Sequence, residues 1–310
     1  MTPSDIPILV VASDQAFQRH LLRNLRVLGY PSTGVSHLAV ANLLLELRSF
    51  ALLLVQQTTK EPPSLGSTIP GQYSMQTVPR IFVGDGPDPS LMPRDVSTDE
   101  LEEWISDRVD TRGSGNHLPR KPPRVRVVGQ LLAFIQRSGV ESEADARMAA
   151  NRTALTSLSL GLSRDDCQRG ALSAMLRHTG RAALATWSSS ENALDDSIAS
   201  REIMNAVPSL FSFRDPILCF RERWDGTGTP SGWSGSDIPV LAQVISAIDF
   251  YQQCVKDGST HEEAIEFVEE QATTAFDPEI VKALKKASGS PQWNREMAKA
   301  SIGQSIESVA

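Results

Sequence analysis

The chain has 310 residues, of which 40% are hydrophobic and 22% are charged, and its formal net charge is −7. This length is sufficient for two ordinary domains, each with its own core. The negative charge and the aromatic fraction of 6% disfavour nucleic-acid binding, because a phosphate backbone requires a basic face and stacked bases require aromatic rings.

The sequence carries no sign of membrane insertion or secretion. Its apolar runs are too short to span a bilayer, and the N-terminus lacks the pattern of a signal peptide. The three cysteines, Cys167, Cys219 and Cys254, are widely spaced and form neither a disulfide framework nor a zinc motif. We therefore expect a cytoplasmic protein that is not associated with a membrane.

Residues 1–110 alternate apolar runs with amphipathic segments. Three runs are typical of buried strands: ILVV at 8–11, FALLLVQQ at 50–57 and VPRIFVGD at 78–85. Three segments show helical spacing: 15–30, 38–49 and 97–109. Ser97 or Thr98 is a suitable N-cap for the last of these helices. Strands separated by helices predict a parallel sheet with right-handed crossovers, so the first domain is expected to be α/β.

The second half of the chain has a different character. Residues 111–123 are rich in Gly, Pro and basic residues, which is the composition of a linker. Residues 124–288 then carry successive apolar stripes at a period of 3.6, one of them continuous over 164–187. We predict an all-α bundle with one long irregular loop at 221–239, followed by a polar tail at 289–310 that frays.

The first block resembles a bacterial response-regulator receiver domain, which has a flavodoxin-like fold. The likeness lies in the opening strand and helix at 8–30 and in the last loop and helix at 91–105. In that family, carboxylates after the first strand hold Mg²⁺, because a hard cation selects oxygen ligands. An Asp at the end of the third strand accepts the phosphoryl group.

This sequence departs from the receiver pattern at each of those positions. The departures are Ser13 and Asp14 in the first carboxylate cluster, Gln56 at the third strand, Gly84 at the switch Ser or Thr, and Arg94 near the family's Lys. Glutamine cannot form an acyl phosphate. The resemblance therefore implies a receiver-like fold that is not phosphorylated.

Residues 142–284 resemble the HD-GYP family, metal-dependent phosphodiesterases that hydrolyse the second messenger cyclic di-GMP. The most specific part is RERWDGTGTPSGWSGSDIPVLAQVISAIDF at 221–250. Three further matches follow the family's order, at 161–182, 200–210 and 275–284. Four matches in one order are difficult to attribute to coincidence.

The residues that carry metals in that family are largely replaced here. The resemblance places Arg177 at a metal-binding His, His178 at a metal-binding Asp, Phe220 and Arg221 at a pair of His, and Asp196 near another His, and it retains Asp249 as a potential ligand. The family uses two or three metal ions to activate a water. A guanidinium has no lone pair to give a metal, so the arginines exclude one. We expect no hydrolysis, no metal and no other cofactor.

Two interpretations of the arginines stay open. Arg177, Arg181 and Arg221 are expected to face a set of carboxylates, namely Asp196, Glu222 and Asp249. In the structural interpretation, which we favour, buried ion pairs replace the metal charge. In the ligand interpretation, the same arginines bind a phosphate-containing molecule such as cyclic di-GMP. His178 is more typical of packing than of a general base.

The loop DGTGTP at 225–230 keeps the family's glycines and proline, but Thr229 replaces a Tyr. In the family this loop is linked to recognition of partner proteins, including GGDEF-domain diguanylate cyclases. The resemblance implies an interaction loop made of Arg223, Trp224, Asp225, Gly226, Gly228, Thr229 and Pro230. Asp225 is expected to shape a turn with Gly226, and Trp224 and Trp233 to anchor the loop.

The leading hypothesis is a non-catalytic regulatory protein of bacterial signalling that acts through protein contacts. Two alternatives remain: a residual cyclic di-GMP phosphodiesterase with an altered site, and a sensor that binds cyclic di-GMP without hydrolysing it. A homodimer is compatible with receiver-like faces and with the helix at 124–136, since two-fold contacts are the commonest oligomer interfaces.

Overall fold

The computed structural model describes residues 2–56, 78–84, 91–109, 124–185 and 193–293. The chain divides into two compact units, one of residues 1–130 with 183–190 and one of residues 131–182 with 191–310. The predicted linker at 111–123 lies outside the described residues. None of the described helices is long and apolar enough to cross a membrane.

The first unit contains a parallel sheet. Its described strands are β1 (Ile8–Val11), β2 (Ser32–Val35), β3 (Leu52–Gln56), β4 (Arg80–Val83) and β5 (Leu91–Met92). Their spatial order is β2-β1-β3-β4-β5, and every pairing is parallel. This is the strand order of flavodoxin-like folds. The predicted parallel sheet is confirmed, and it is compatible with a receiver-like domain.

The central strands are the most apolar ones. All of β1 is buried, as are the first four residues of β3, which fits strands covered on both faces. The sequence patterns do not predict β2 and β5. β2 is largely polar, reading STGV, and β5 has two residues, so neither produces a recognisable apolar run.

The described residues of this sheet region also form the α-helices α1 (Gln15–Val27), α2 (Leu38–Leu47) and α3 (Thr98–Arg108). Asp14 caps α1, because its carboxylate accepts the N–H groups of Ala16 and Phe17. Ser97, one of the two predicted N-cap candidates, caps α3 and also forms a capping box with Glu100. α1 and α3 contribute buried side chains to the same cluster as β1 and β3.

The rest of the described chain is helical. Its helices are α4 (Arg124–Arg137), α5 (Glu143–Ser159), α6 (Arg164–Leu176), α7 (Thr179–Ala185), α8 (Ala193–Ala206), α9 (Arg214–Cys219), α10 (Val240–Lys256), α11 (His261–Glu270) and α12 (Pro278–Ser288). A 3₁₀ segment at Pro208–Phe213 precedes α9. The predicted all-α character of this half is confirmed. The sequence patterns do not predict the 3₁₀ segment or α9.

The stripe at 164–187 predicts one helix, but the structure breaks it after Leu176. Two side chains donate hydrogen bonds to the last carbonyl groups of α6. Arg177 Nη1 donates to Ala174 O at 2.7 Å, and Thr179 Oγ1 donates to Leu176 O at 2.6 Å. A turn at Arg177 and His178 separates the two helices. This break leaves Arg177 only 3% exposed.

The core of the helical unit extends beyond 288, where the sequence predicts a fraying polar tail. Trp293 is fully buried and packs edge-on against Tyr251, with ring centroids 5.5 Å apart. The guanidinium of Arg152 lies 5.2 Å from the centre of the Trp293 ring. A buried Trp contributes a large apolar area. The start of the predicted tail is therefore part of the core, and residues 294–310 lie outside the described residues.

We predict that Trp293→Ala lowers the free energy of unfolding by about 3–5 kcal/mol, because it removes a buried ring and leaves a cavity. Trp233→Ala is the matched control, because Trp233 is 43% exposed, and it should cost no more than about 0.5 kcal/mol. Urea unfolding followed by circular dichroism measures both. Similar losses for the two variants would show that Trp293 is not a core residue.

Candidate functional site

Arg177 lies in the turn between α6 and α7, and its guanidinium uses all five of its N–H groups. Nε donates to Asp249 Oδ1 at 2.6 Å. Nη1 donates to Glu141 Oε2 at 3.2 Å and to the Ala174 carbonyl. Nη2 donates to Glu141 Oε1 at 2.5 Å and reaches Gln252 Oε1 at 3.5 Å. The paired bonds to Glu141 have the fork geometry that makes Arg–carboxylate pairs strong.

The charges of this cluster stabilise one another. Burial alone would lower the pKa of Arg177, but the charges of Asp249 and Glu141 raise it above its ordinary value. Burial would likewise raise the pKa of Asp249, yet the hydrogen bond from His178 and the charge of Arg177 hold it below its ordinary value. The guanidinium and Asp249 are therefore both charged at neutral pH.

His178 lies beside this cluster, with its two ring nitrogens in different surroundings. Nε2 is 3.4 Å from Asp249 Oδ1, and the ring packs edge-on against Phe220. Nδ1 is buried and has no hydrogen-bond partner among the described residues. A general base requires an orienting partner and access to the proton that it removes. The surroundings of His178 favour a packing role.

A second ion pair, between Arg221 and Asp196, lies close to the first. Arg221 Nη2 is 3.1 Å from Asp196 Oδ2, and its guanidinium lies 5.5 Å from the centre of the Phe220 ring. α8 approaches α7 closely because residue 180 is a glycine: a Cβ at Gly180 would lie 2.1 Å from the Asp196 carbonyl oxygen. The cavity lined by Arg177, Arg221 and Phe220 measures only ≈ 10 Å³. This is about the room that one water requires.

The residues at the positions implied for metal ligands do not fit a metal ion. Arg177 offers donors only, and both oxygens of Glu141 and Oδ1 of Asp249 already accept its N–H groups. A divalent ion needs lone pairs from several converging ligands. In the part of the chain that the structure describes, no group of three or more His, Cys, Asp or Glu side chains is placed to hold a metal.

Arg181 and Glu222 do not form the arginine–carboxylate contacts expected from the sequence. Arg181 lies at the edge of the cavity, is exposed, and has no carboxylate within ion-pair distance among the described residues. Glu222 is 2% exposed, but its carboxylate accepts the backbone N–H groups of residues 231–233 at 2.7, 3.0 and 3.2 Å. Backbone dipoles of the loop, rather than an arginine, compensate this buried charge.

The loop at 225–230 has a backbone shape that its glycines require. Gly226 has φ +80°, and a Cβ at Gly228 would lie 2.3 Å from the backbone nitrogen of Arg223. Asp225 shapes the turn by accepting the N–H and the hydroxyl of Thr227. The hydroxyl of Thr227 is the main reason why the pKa of Asp225 lies below its ordinary value. The loop is therefore held by its own hydrogen bonds.

The same loop is fixed to the rest of the helical unit by its backbone. Trp224 N–H donates to the Ala275 carbonyl at 3.1 Å, and Asp225 N–H donates to the Thr274 carbonyl at 2.9 Å. Trp224 is partly buried, as an anchor residue would be. Trp233 instead is 43% exposed, so it leaves a large aromatic face at the surface.

Three of the five receiver-like positions, namely Asp14, Gln56 and Arg94, contact one another at the carboxyl ends of the strands. Asp14 N–H donates to Gln56 Oε1 at 3.1 Å, and the Asp14 carboxylate pairs with Arg94. The Arg94 guanidinium lies 4.8 Å from the centre of the Phe17 ring. The pKa of Asp14 lies below its ordinary value because the Phe17 N–H and then Arg94 donate to its carboxylate. An ion pair inside the chain thus occupies the place where the resemblance implies a Mg²⁺ site.

The other two receiver-like positions are not part of that contact. Ser13 is exposed. Gly84 N–H donates to the Met92 carbonyl at 3.1 Å, which continues the pairing of β4 with β5.

The sequence patterns do not mark Glu141 and Gln252, which complete the network of Arg177. Gln252 follows Asp249 by three residues on α10, a spacing that puts both on one face of the helix and could have indicated it. Glu141 stands before Ser142, the N-cap of α5, and belongs to no motif that could have identified it.

Comparison with known proteins assigns a domain class to this region. Residues 144–280 match the model of the HD domain family. This match supports an HD-type domain in that part of the chain, in agreement with its helical structure.

Two curated proteins of Vibrio cholerae serotype O1 are similar over a shorter stretch. One, described as a probable cyclic di-GMP phosphodiesterase, is 34% identical over 68 residues. The other, described as 3'3'-cGAMP-specific phosphodiesterase 3, is 34% identical over 71 residues. The matches cover 20% and 21% of this chain and 15% of each relative, so this chain matches only a small part of either protein.

Among solved structures, a crystal structure of a cyclic GMP-AMP specific phosphodiesterase of V. cholerae aligns with a TM-score of 0.42 and 14% sequence identity. The alignment covers 58% of this chain and 53% of that chain.

We predict that Arg177→Met lowers the free energy of unfolding by about 3–5 kcal/mol, because it leaves the buried Glu141 carboxylate without its counter-charge. Arg181→Met is the matched control: it removes the same charge from an exposed position and should cost at most about 0.5 kcal/mol. Urea unfolding curves of both variants give the comparison. An Arg177→Met protein as stable as the Arg181→Met protein would refute a structural role for the cluster.

Proposed function

We propose that this chain is a non-catalytic regulatory protein of bacterial signalling. In this proposal a degenerate receiver-like domain at 1–110 is joined by a linker at 111–123 to a degenerate HD-GYP domain at 124–288. The observation that carries it is the Arg177 cluster: where the resemblance implies a metal-binding His, a guanidinium is bonded through every N–H to protein oxygens. The proposed protein needs no metal or other cofactor and works in the cytoplasm.

The link to cyclic dinucleotide signalling is supported by the HD-domain match and by the names of the two similar proteins. The proposed loss of phosphorylation in the first domain is supported by Gln56, which ends β3 and whose side-chain oxygen accepts the Asp14 N–H. An amide cannot form the acyl phosphate on which receiver signalling depends. Both domains would then act through their surfaces.

The two alternatives meet obstacles at the Arg177 site. Residual hydrolysis would require Arg177 to leave the cluster so that Glu141 and Asp249 could turn their oxygens to a metal. Cyclic di-GMP binding would require far more room than the ≈ 10 Å³ cavity beside Arg177 provides. We therefore favour protein contacts as the mode of action.

Metal analysis combined with activity measurement tests the non-catalytic proposal. Protein purified from cells supplied with iron and manganese should contain far less than one metal ion per chain. It should hydrolyse neither cyclic di-GMP nor 3'3'-cGAMP, and cyclic di-GMP should give no heat in calorimetry.

The control for that experiment is Asp249→Asn, which keeps the side-chain volume but weakens the retained ligand. Stoichiometric metal or hydrolysis that disappears in Asp249→Asn would overturn the proposal and favour a residual phosphodiesterase. Binding of cyclic di-GMP without hydrolysis would instead favour the sensor.

We further infer that the contacts run through the interaction loop at 223–230 and its neighbour Trp233. Thr229 is exposed, and the Thr229–Pro230 peptide bond is cis. Thr229 stands where the family has an exposed Tyr, while Trp233 presents an aromatic face of the kind that anchors interfaces. By the resemblance, the partner is a GGDEF-domain diguanylate cyclase.

We predict that Trp233→Ala weakens binding to such a cyclase at least tenfold, as expected when an interface loses an aromatic anchor. Phe211→Ala is the matched control, because Phe211 is 55% exposed but lies outside the loop. Surface plasmon resonance against a purified panel of GGDEF-domain cyclases from the same bacterium measures both. Equal affinities of the two variants, or no binding to any member of the panel, would refute the loop as the docking surface.

A further inference from the structure

The exposed side of α11 carries a stripe of acidic residues. Glu262, Glu266 and Glu270 follow one another at intervals of four, and all three are exposed. Ala264, Ile265 and Val268 form the buried side of the helix. Like charges four residues apart destabilise a helix. Glu266 and Glu270 have no cation within ion-pair distance among the described residues, so this repulsion is not relieved within the described chain.

The exposed side of α12 carries the opposite charge. Lys282 and Lys286 are four residues apart and exposed, and the buried side of the helix holds Val281 and Leu284. Lys282 lies 4.0 Å from Glu279, at the limit of an ion pair between two well-exposed side chains. Such a pair contributes little. Lys286 has no carboxylate partner among the described residues.

The two stripes lie on neighbouring helices. The buried sides of α11 and α12 share one core cluster. At the seam between them, Lys285 Nζ bonds to Glu269 Oε1 at 2.7 Å. The exposed surface of α11 is therefore negatively charged, and the exposed surface of α12 is positively charged. Phe267 on α11 is 41% exposed, which adds apolar area.

We propose that this α11–α12 face is a self-association surface that binds a second copy of the chain. A partner that is complementary to this face must present basic side chains opposite α11 and acidic side chains opposite α12. The same face of a second copy has that pattern when the two-fold axis runs along the seam, because each acidic stripe then faces the other copy's basic stripe. The net charge of −7 opposes association of two copies in general, so local charge complementarity would determine how the copies meet.

This self-association does not depend on whether the HD-type domain is catalytic, so its test is separate from the metal analysis. Two charge-reversal variants are used. Glu266→Lys/Glu270→Lys makes the α11 stripe basic apart from Glu262, and Lys282→Glu/Lys286→Glu makes the α12 stripe acidic. The control for the first variant is Glu102→Lys/Glu103→Lys on α3, which makes the same change in net charge as Glu266→Lys/Glu270→Lys at exposed positions of the other unit. Circular dichroism checks that each variant is folded.

Sedimentation velocity of the full chain at low ionic strength measures the mass. Wild-type and control proteins should sediment as dimers at tens of micromolar, with dissociation favoured by added salt. Each reversal variant alone should be a monomer, while an equimolar mixture of the two should form heterodimers, because the acidic face of one then meets the basic face of the other. A monomeric wild type, dimers that persist in both reversal variants, or a mixture that stays monomeric would overturn the proposal.

Discussion

A cation removed from water has to be neutralised and given an acceptor for each of its donors, and Arg177 imposes this requirement on the helical unit. Its acceptors come from the residue before the N-cap of α5, from the last turn of α6 and from one face of α10. Each of these segments is held by its part in the network. The planar fork of a guanidinium is essential, because a lysine ammonium could not reach both oxygens of Glu141 with the same geometry.

The first unit uses the same chemistry on a smaller scale. Asp14 and Arg94 pair at the carboxyl ends of the strands, where the pair is partly exposed and therefore contributes less than the buried cluster. In both units an arginine satisfies a carboxylate at a place where the resemblances imply a metal ion. A guanidinium, unlike a metal ion, cannot be exchanged or removed by a chelator, so its charge is a permanent part of the fold.

The sequence predicts those parts of the structure that depend on local pattern. β1, β3 and β4 are predicted from continuous apolar runs, and the start of α3 is predicted from the N-cap candidates Ser97 and Thr98, of which Ser97 is the cap. Arg177 and Asp249 are placed in one site by the family resemblance, because they are 72 residues apart and no local pattern connects them. Glu141 lies 36 residues from Arg177 and outside every motif, so only tertiary packing shows that it completes the cluster. The break after α6 and the burial of Trp293 likewise depend on contacts with distant segments, which no local periodicity records.

Glu222 binds the backbone N–H groups of residues 231–233 from inside the fold, and these bonds involve no side chain of the residues that they hold. At residues 231–233 the backbone conformation and the chemistry presented to solvent are therefore specified by different residues, whereas the exposed Asp225 and Thr227 contribute to both. Positions such as Thr229 and Trp233 can change in the course of evolution while the backbone keeps its course. Substitutions at such positions can therefore change the surface that the loop presents without removing the bonds that hold its backbone.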